Sequence, residues 1–389
     1  MSAVPTARMG ALSMLALGAV VLVGFFDNFS QFPIVAPYAR SLGATPAVVG
    51  LVVAVYSATN LAGNLLAGHL LDLLGRKRLL VAGLVVAGTA VLLYAVVRSP
   101  AELIGVRAFH GLAAAILAPA AFTLLGDLFP GARRGRAMGS SSALIALAAM
   151  VAPAVSGVVR DRWGFAAVYA LVGALFFATA LAAVFFVGES YRPRQEARPS
   201  PGLFLVLLRR GRLIVAYVAG TALAFGLGSL VTQLPLRLAD LGYGGSQTGL
   251  AFSAFALTAM LMMAGPVARL GGPTRWRALA GWGLVLVGGA LLVLPYPSGI
   301  AGIVGAMALY GLGFGLIFPS ANARVADATQ PGERGTAFGI FYAFYSVGVI
   351  LGSTAAGAVA DAGLALSPFH LGALVAWASA GYLLSRRKG

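Results

Sequence analysis

Apolar stretches of about 20 residues recur from one end of this chain to the other, and that recurrence restricts the fold more than any motif does. Such a run is the length an α-helix needs to cross a hydrocarbon core of about 30 Å. A spanning segment must satisfy its own backbone hydrogen bonds, which helices do within themselves. Twelve stretches are predicted, near residues 11–38, 46–73, 78–97, 100–129, 136–159, 164–187, 211–238, 246–270, 277–295, 298–325, 335–360 and 367–385. Composition agrees. Of 389 residues, 60% are hydrophobic and 10% charged, with a mean hydropathy of +0.92, whereas soluble domains are roughly half apolar and a quarter charged. The sequence predicts an all-α membrane protein of twelve transmembrane helices.

A formal charge of +16 raises the question of nucleic acid. The distribution of the 27 Lys and Arg residues answers it. With the N-terminus inside, 21 fall in cytoplasmic segments: Arg8 and residues within 76–78, 133–136, 192–212, 269–277, 324, 334 and 386–388. Five (Arg40, Arg98, Arg160, Arg162, Arg237) fall outside, and Arg107 lies within a helix. This is the positive-inside asymmetry of a multi-pass inner-membrane protein with both termini cytoplasmic. The charge reports orientation, and no nucleic-acid partner is expected. The first apolar segment is too long for a signal-peptide core and reads as a retained helix. Without cysteine, disulfides and thiolate metal sites are excluded. No metal or cofactor is expected.

One long polar break, residues 188–210, separates six predicted helices from six, so residues 1–187 and 211–389 are read as two bundles joined by a cytoplasmic linker. A shift of 200 residues superposes Gly111–Asp161 on Gly311–Asp361 without a gap. Pro119, Asp127, Arg134, Gly135, Gly139, Gly157 and Asp161 recur as Pro319, Asp327, Arg334, Gly335, Gly339, Gly357 and Asp361. A parallel six-plus-six repeat is the sequence mark of a secondary transporter whose halves rock about a central site.

Between the second and third stretches stands GHLLDLLGRKRLL, Gly68 to Leu80. Gly68 permits close helix approach, Gly75 permits a tight turn, and Asp72 at the membrane edge needs a partner. The segment resembles the signature GxxxDxxGRRxxL of the major facilitator superfamily. That resemblance implies a major facilitator fold, normally monomeric, in which Asp72, Arg76 and Asp127 latch the two halves in the outward-facing state. The second half holds a decayed copy from Gly265 to Arg275, with Arg269 at the acidic position. LIGVRAFHGLAAA, residues 103–115, is similar to the family's RxxxG element. LAAMVAPAVSGVVRD, residues 147–161, resembles the signature gxxxGPxxGG of proton-driven drug exporters: Pro153 and Gly157 match, while Ala152 and Ser156 replace glycines.

Asp27 and Arg107 are the formal charges well inside spans, about 16 Å and about 10 Å from the outer end at 1.5 Å per residue. A buried guanidinium cannot shed its proton and needs an acid or many acceptors. Asp27 is expected to carry protons, because burial penalises its ionised form and a nearby cation favours it; a static pair with Arg107 is the alternative. His110, one turn from Arg107, is a relay candidate. Gln31, and Tyr56, Asn60 and Asn64 at four-residue spacing, form polar faces that point inward. From the second half come Gln233, the aromatic row Phe338, Phe341, Tyr342 and Tyr345, and the set Phe314, Phe318 and Asn322. Few charges and many aromatics suit a lipophilic small-molecule substrate better than a sugar.

These readings converge on a proton-coupled exporter of lipophilic molecules, a twelve-helix drug/proton antiporter by resemblance, driven by the proton gradient. Two alternatives stay open: uptake of a small organic anion that pairs with Arg107, by symport or facilitated diffusion, and a non-transporting receptor that keeps the fold. With three His, no Cys and no nucleophile–base motif or P-loop, nothing points to an enzyme.

Overall fold

The computed structural model describes residues 7–129, 132–190, 201–267, 275–330, 332–363 and 366–385, which are helix and turn with no strand among them. The main helices are α1 (Ala7–Ser30), α2 (Pro46–Leu74), α3 (Arg76–Leu93) and α4 (Pro100–Ala114, resuming as Leu117–Leu128). A continuous rod, Ala132–Phe186, is α5 and α6 joined at Gly164, whose φ of 83° turns the chain. Then come α7 (Gly211–Asp240), α8 (Gly245–Met262), α9 (Trp276–Val293), α10 (Ile300–Asp327), α11 (Arg334–Asp361) and α12 (Pro368–Ser385). Among the described residues, ten stretches are long and apolar enough to cross a membrane by length and composition, with the α5–α6 rod counted as one.

Local chemistry places the boundaries. Thr45 and Ser99 accept from Val48 N and Glu102 N, capping α2 and α4, and each is followed by a proline whose missing N–H costs nothing at a helix start. Three predicted stretches are interrupted, each at a proline, whose ring clashes with the carbonyl four residues back. Pro33 ends α1 at Ser30, and a short helix, Val35–Ser41, follows. Pro119 opens α4 at residues 115–116, and Pro266 stops α8 at Met262 in a π turn, Met263–Val267. Within the linker, Pro201–Arg209 is helical, and its Leu207 is buried with Leu213, Tyr217 and Ala321.

Packing repeats with an offset of six helices. α1 lies on α5, α2 on α4 and α3 on α6, as α7 lies on α11, α8 on α10 and α9 on α12. Helix directions put Ser30, Pro46, Pro100 and Asp361 at one face, here the far face, and put the Arg76 turn, Leu128 and Arg334 at the other, the basic face. The two sixes meet chiefly where α2 crosses α11 and α5 crosses α8. Both crossings are backbone against backbone near the far face: a Cβ on Gly50 would stand 2.4 Å from Ser353 O, and one on Gly157 2.1 Å from Gly245 O. Phe32 and Phe252 add a ring contact at 5.3 Å, and the exposed ion pair Arg40–Asp240 spans the same face. No comparable packing joins α4 to α10 or α11 among the described residues, and Leu73 and Leu74 at the end of α2 are 62% and 54% exposed. Among the described residues, the packing between the two sixes is concentrated at the far face.

Candidate functional site

α1 and α4 bring a polar cluster into the first six-helix group. Asp27 is 1% exposed and His110 is fully buried, with His110 Nε2 3.1 Å from Asp27 Oδ2. That is ion-pair distance, although the ring nitrogen lies off the axis of a hydrogen bond. Gln31 Nε2 donates to Asp27 Oδ1 at 3.4 Å. On the other side of the imidazole, Nδ1 is 3.2 Å from the Tyr94 hydroxyl. Tyr94 stacks on Tyr169 at 4.6 Å, and the Tyr38 hydroxyl donates to the Tyr94 carbonyl. Tyr56 meets the imidazole edge-on at 5.2 Å. Stacked and edge-on aromatic pairs add about 0.5–1.5 kcal/mol each beyond burial, so the ring is held between partners that fix its orientation.

The basic group at ion-pair distance from Asp27 is therefore His110, and the static pair with Arg107 is replaced by another arrangement. Arg107 Nε donates to Val52 O at 3.2 Å, and its guanidinium lies 4.5 Å from the Tyr56 ring centroid. One turn separates Arg107 from His110, so α4 aims both at the α1–α2 side. A desolvated cation over an aromatic face contributes about 2 kcal/mol, which lets a carbonyl and a ring stand in for a carboxylate. Four side-chain atoms in the cluster have no hydrogen-bond partner among the described residues: Arg107 Nη1, Gln31 Oε1, His110 Nε2 and the Tyr169 hydroxyl. The polar stripe on α2 divides: Asn60 Nδ2 donates to Gly111 O at 3.1 Å and ties α2 to α4, whereas Asn64 is exposed and bonded to Asn60.

The second group contributes an aromatic ladder. Phe255, Phe314, Phe318 and Tyr345 follow one another at 5.3, 5.5 and 6.1 Å, and the exposed Tyr342 donates to Asn322 Oδ1 and stacks on Phe338. Phe341 leaves this wall: it is fully buried against Gly220 of α7. Gln233, a substrate-cavity candidate of unassigned depth, lies near the far face. Its Nε2 donates to Ala356 O, and it lines a cavity of about 320 Å³ at the far face with Arg40, Arg237 and Asp240.

At the basic face, Gly75 has φ 86° and turns α2 into α3. Arg76, 6% exposed at its side chain, forms an ion pair with Asp127, which also accepts from Ser190 Oγ at 2.8 Å. The surroundings of Gly68 and the side chain of Asp72 lie outside what is described, as does most of the decayed copy, 268–274. Sequence reasoning missed Glu189. Its carboxylate accepts from Arg76 N and Lys77 N at 3.1–3.3 Å and so caps α3, a role that Gly75 lacks the side chain for. The acid two residues past a predicted span was the available signal. On α5, Pro153 and Gly157 lie against α8: a Cβ on Gly249 would stand 2.2 Å from Pro153 O. The antiporter-like segment is thus part of the far-face closure.

Fold and site together define a multi-pass helical membrane protein that encloses a buried acid–imidazole pair on one side and an aromatic wall on the other. The family model of the Major Facilitator Superfamily matches residues 17–353 and 224–388, and the chain belongs to that family of transporters. Relatives include the multi-drug resistance efflux pump PmrA of Streptococcus pneumoniae, 27% identical over 302 residues that cover 75% of this chain and 74% of the pump. The quinolone resistance protein NorA of Staphylococcus aureus is 23% identical over 354 residues, covering 88% and 90%. Among solved structures, a bacterial homolog of the human lysosomal transporter Spinster, in an inward-facing and unoccupied conformation, aligns with a TM-score of 0.78 at 14% identity, covering 98% of this chain and 96% of the other. The nucleoside transporter NupG (D323A mutant) aligns at 0.76 and 17%, covering 95% and 97%.

Proposed function

We propose that the protein is a proton-coupled exporter of lipophilic small molecules that works by alternating access, with twelve spanning helices and the basic face cytoplasmic. The observation that carries this reading is the Asp27–His110 pair: Asp27 is the one acidic side chain buried among the described residues, and its neighbour is the side chain best suited to exchange protons near neutral pH. With Arg107 charged and Asp27 ionised, the cluster is neutral while His110 is neutral, and one added proton leaves it at +1. A cationic substrate about 5 Å away then raises the energy of that proton by about 3 kcal/mol at an effective dielectric of about 20. Substrate and proton thus compete for one site, which is the requirement for exchange.

The aromatic ladder of α10 and α11 supplies large apolar contact with few directional demands, which suits varied lipophilic molecules. The drug-efflux relatives at 22–27% identity support the same substrate class. One observation favours a second reading, since the unpartnered Arg107 Nη1 offers a donor to an organic anion. Proteoliposomes holding the purified protein and an internal pH dye separate the two. Lipophilic cations are expected to drive proton movement in the opposite sense. Proton movement in the same direction as anions, with none for cations, would replace export by anion symport.

A further inference from the structure

α8 begins at Gly245 after Gly244, a residue with no side chain to cap it. The first N–H groups of a helix have no partner within it and require an acceptor from elsewhere. Here the acceptor comes from the other six-helix group. Asp161, at the far end of α5, takes Gly245 N on Oδ1 and both Ser246 N and Ser246 Oγ on Oδ2, each at 2.7 Å. The fit requires glycine at 244, where a Cβ would stand 2.6 Å from Asp161 Oδ2. The carboxylate also meets the positive end of the helix dipole.

The internal repeat provides its own comparison. Asp361 is the counterpart of Asp161 and ends α11 beside the start of α2, where Gly357 packs on Pro46 O and Gly50 as Gly157 packs on Gly245. Pro46 and Gly245 are each the first residue of their helices, and Gly50 and Gly249 each the fifth. The backbones match but the donors do not. Pro46 has no N–H to give, and Thr45 caps α2 from its own chain, Oγ1 accepting from Val48 N. Asp361 makes no hydrogen bond or ion pair among the described residues.

We infer that Asp161 is the positioning residue that locks the far face, a cap lent by one half of the protein to a helix of the other, and that Asp361 has no such role. The two crossings that shut this face are alike in shape and unequal in strength. Opening breaks three charge-assisted bonds at α5–α8 and no equivalent set at α2–α11. The inference rests on the alternating-access part of the proposed function and on neither its substrate nor its proton.

The chain has no cysteine, so spin labels can be placed on Arg98→Cys and Ser298→Cys, in the α3–α4 and α9–α10 connections at the far face, without background. Distance distributions between them read the ratio of closed to open far face directly and stay informative if the export reading fails. Asp161→Asn keeps one acceptor oxygen and loses the other, so it is expected to move that ratio toward open by roughly 2-fold or more, within the roughly 30-fold that complete loss of a helix cap would give. Ser246→Ala, which removes one of three donors, should move it the same way by less, and it decides the matter if Asp161→Asn does not fold. Asp361→Asn should leave the distribution unchanged. An unshifted distribution in both Asp161→Asn and Ser246→Ala, or an equal shift in Asp361→Asn, would overturn the inference.

Discussion

Removing one partner of the Arg76–Asp127 pair should cost unequal amounts depending on which partner goes. The Arg76 side chain is 6% exposed and that of Asp127 26%. Asp127→Ala leaves a guanidinium that cannot lose its proton in a nearly dry site, and breaking a buried pair this way costs about 3–5 kcal/mol when both ions are dry. Because Asp127 is partly wet, about 3 kcal/mol is the better figure here. Arg76→Ala leaves a carboxylate that water can reach and that keeps its bond from Ser190 Oγ, so about 1 kcal/mol is expected. Replacing both, as Arg76→Met with Asp127→Leu, removes the uncompensated charge and should be less destabilising than Asp127→Ala alone. The assay is unfolding of the purified protein in one detergent, with Arg76→Ala, Asp127→Ala and the double Arg76→Ala/Asp127→Ala forming a double-mutant cycle and the Arg76→Met/Asp127→Leu double compared beside it. Additive losses, or a larger loss from Arg76→Ala than from Asp127→Ala, would refute the argument that burial of the guanidinium dominates.

Gly50→Ala places a Cβ 2.4 Å from Ser353 O, so α2 and α11 must separate by about 1 Å to regain ordinary contact. Overpacking of this kind costs about 1–3 kcal/mol, and a Gln233→Cys probe at the far-face cavity should react on the order of 5- to 150-fold faster with a membrane-impermeant maleimide; equal rates would contradict the closure. At the basic face, the Arg210 guanidinium donates twice to Glu333 and holds its carboxyl down at about 2, below the ordinary value. A lowered carboxyl contributes stability that is fully present above the unfolded-state value and is lost as pH falls through the folded one. Glu333→Gln should therefore lower the melting temperature at pH 7, and the gap should close between about pH 4.5 and pH 2; a gap that persists near pH 2 would sink the assignment.

Sequence reasoning reached furthest where the signal was local. The helices came from length and hydropathy, whereas their interruptions near Pro33, Pro119 and Pro266 were not anticipated, although a ring that clashes four residues back accounts for them. Arg76 and Asp127 were legible because a family pattern marks both. Contacts between distant helices were not. His110 was a lesser candidate beside Arg107, since both lie on one face of α4 and only the placement of α1 decides which of them meets Asp27. Gln233 and Phe341 read as cavity residues because polarity and aromaticity do not encode depth or facing. They proved to tie α7 to α11 and to fill the space against Gly220. Glu189 and Asp161 were invisible as caps because each acts on a helix that begins elsewhere in the chain. The glycine before each of those helices hinted at a missing acceptor, as did the place of Glu189 just past a predicted span.

The most direct measurement of the central claim is the number of protons released when a lipophilic cation binds the purified protein in weakly buffered detergent, read with a pH dye near pH 7. Competition at the Asp27–His110 pair predicts release of up to one proton for each substrate bound, absent from Asp27→Asn and from His110→Gln while both still bind substrate. Equal release from the wild type and both variants, or binding by the wild type with no release between pH 5 and pH 8, would contradict it.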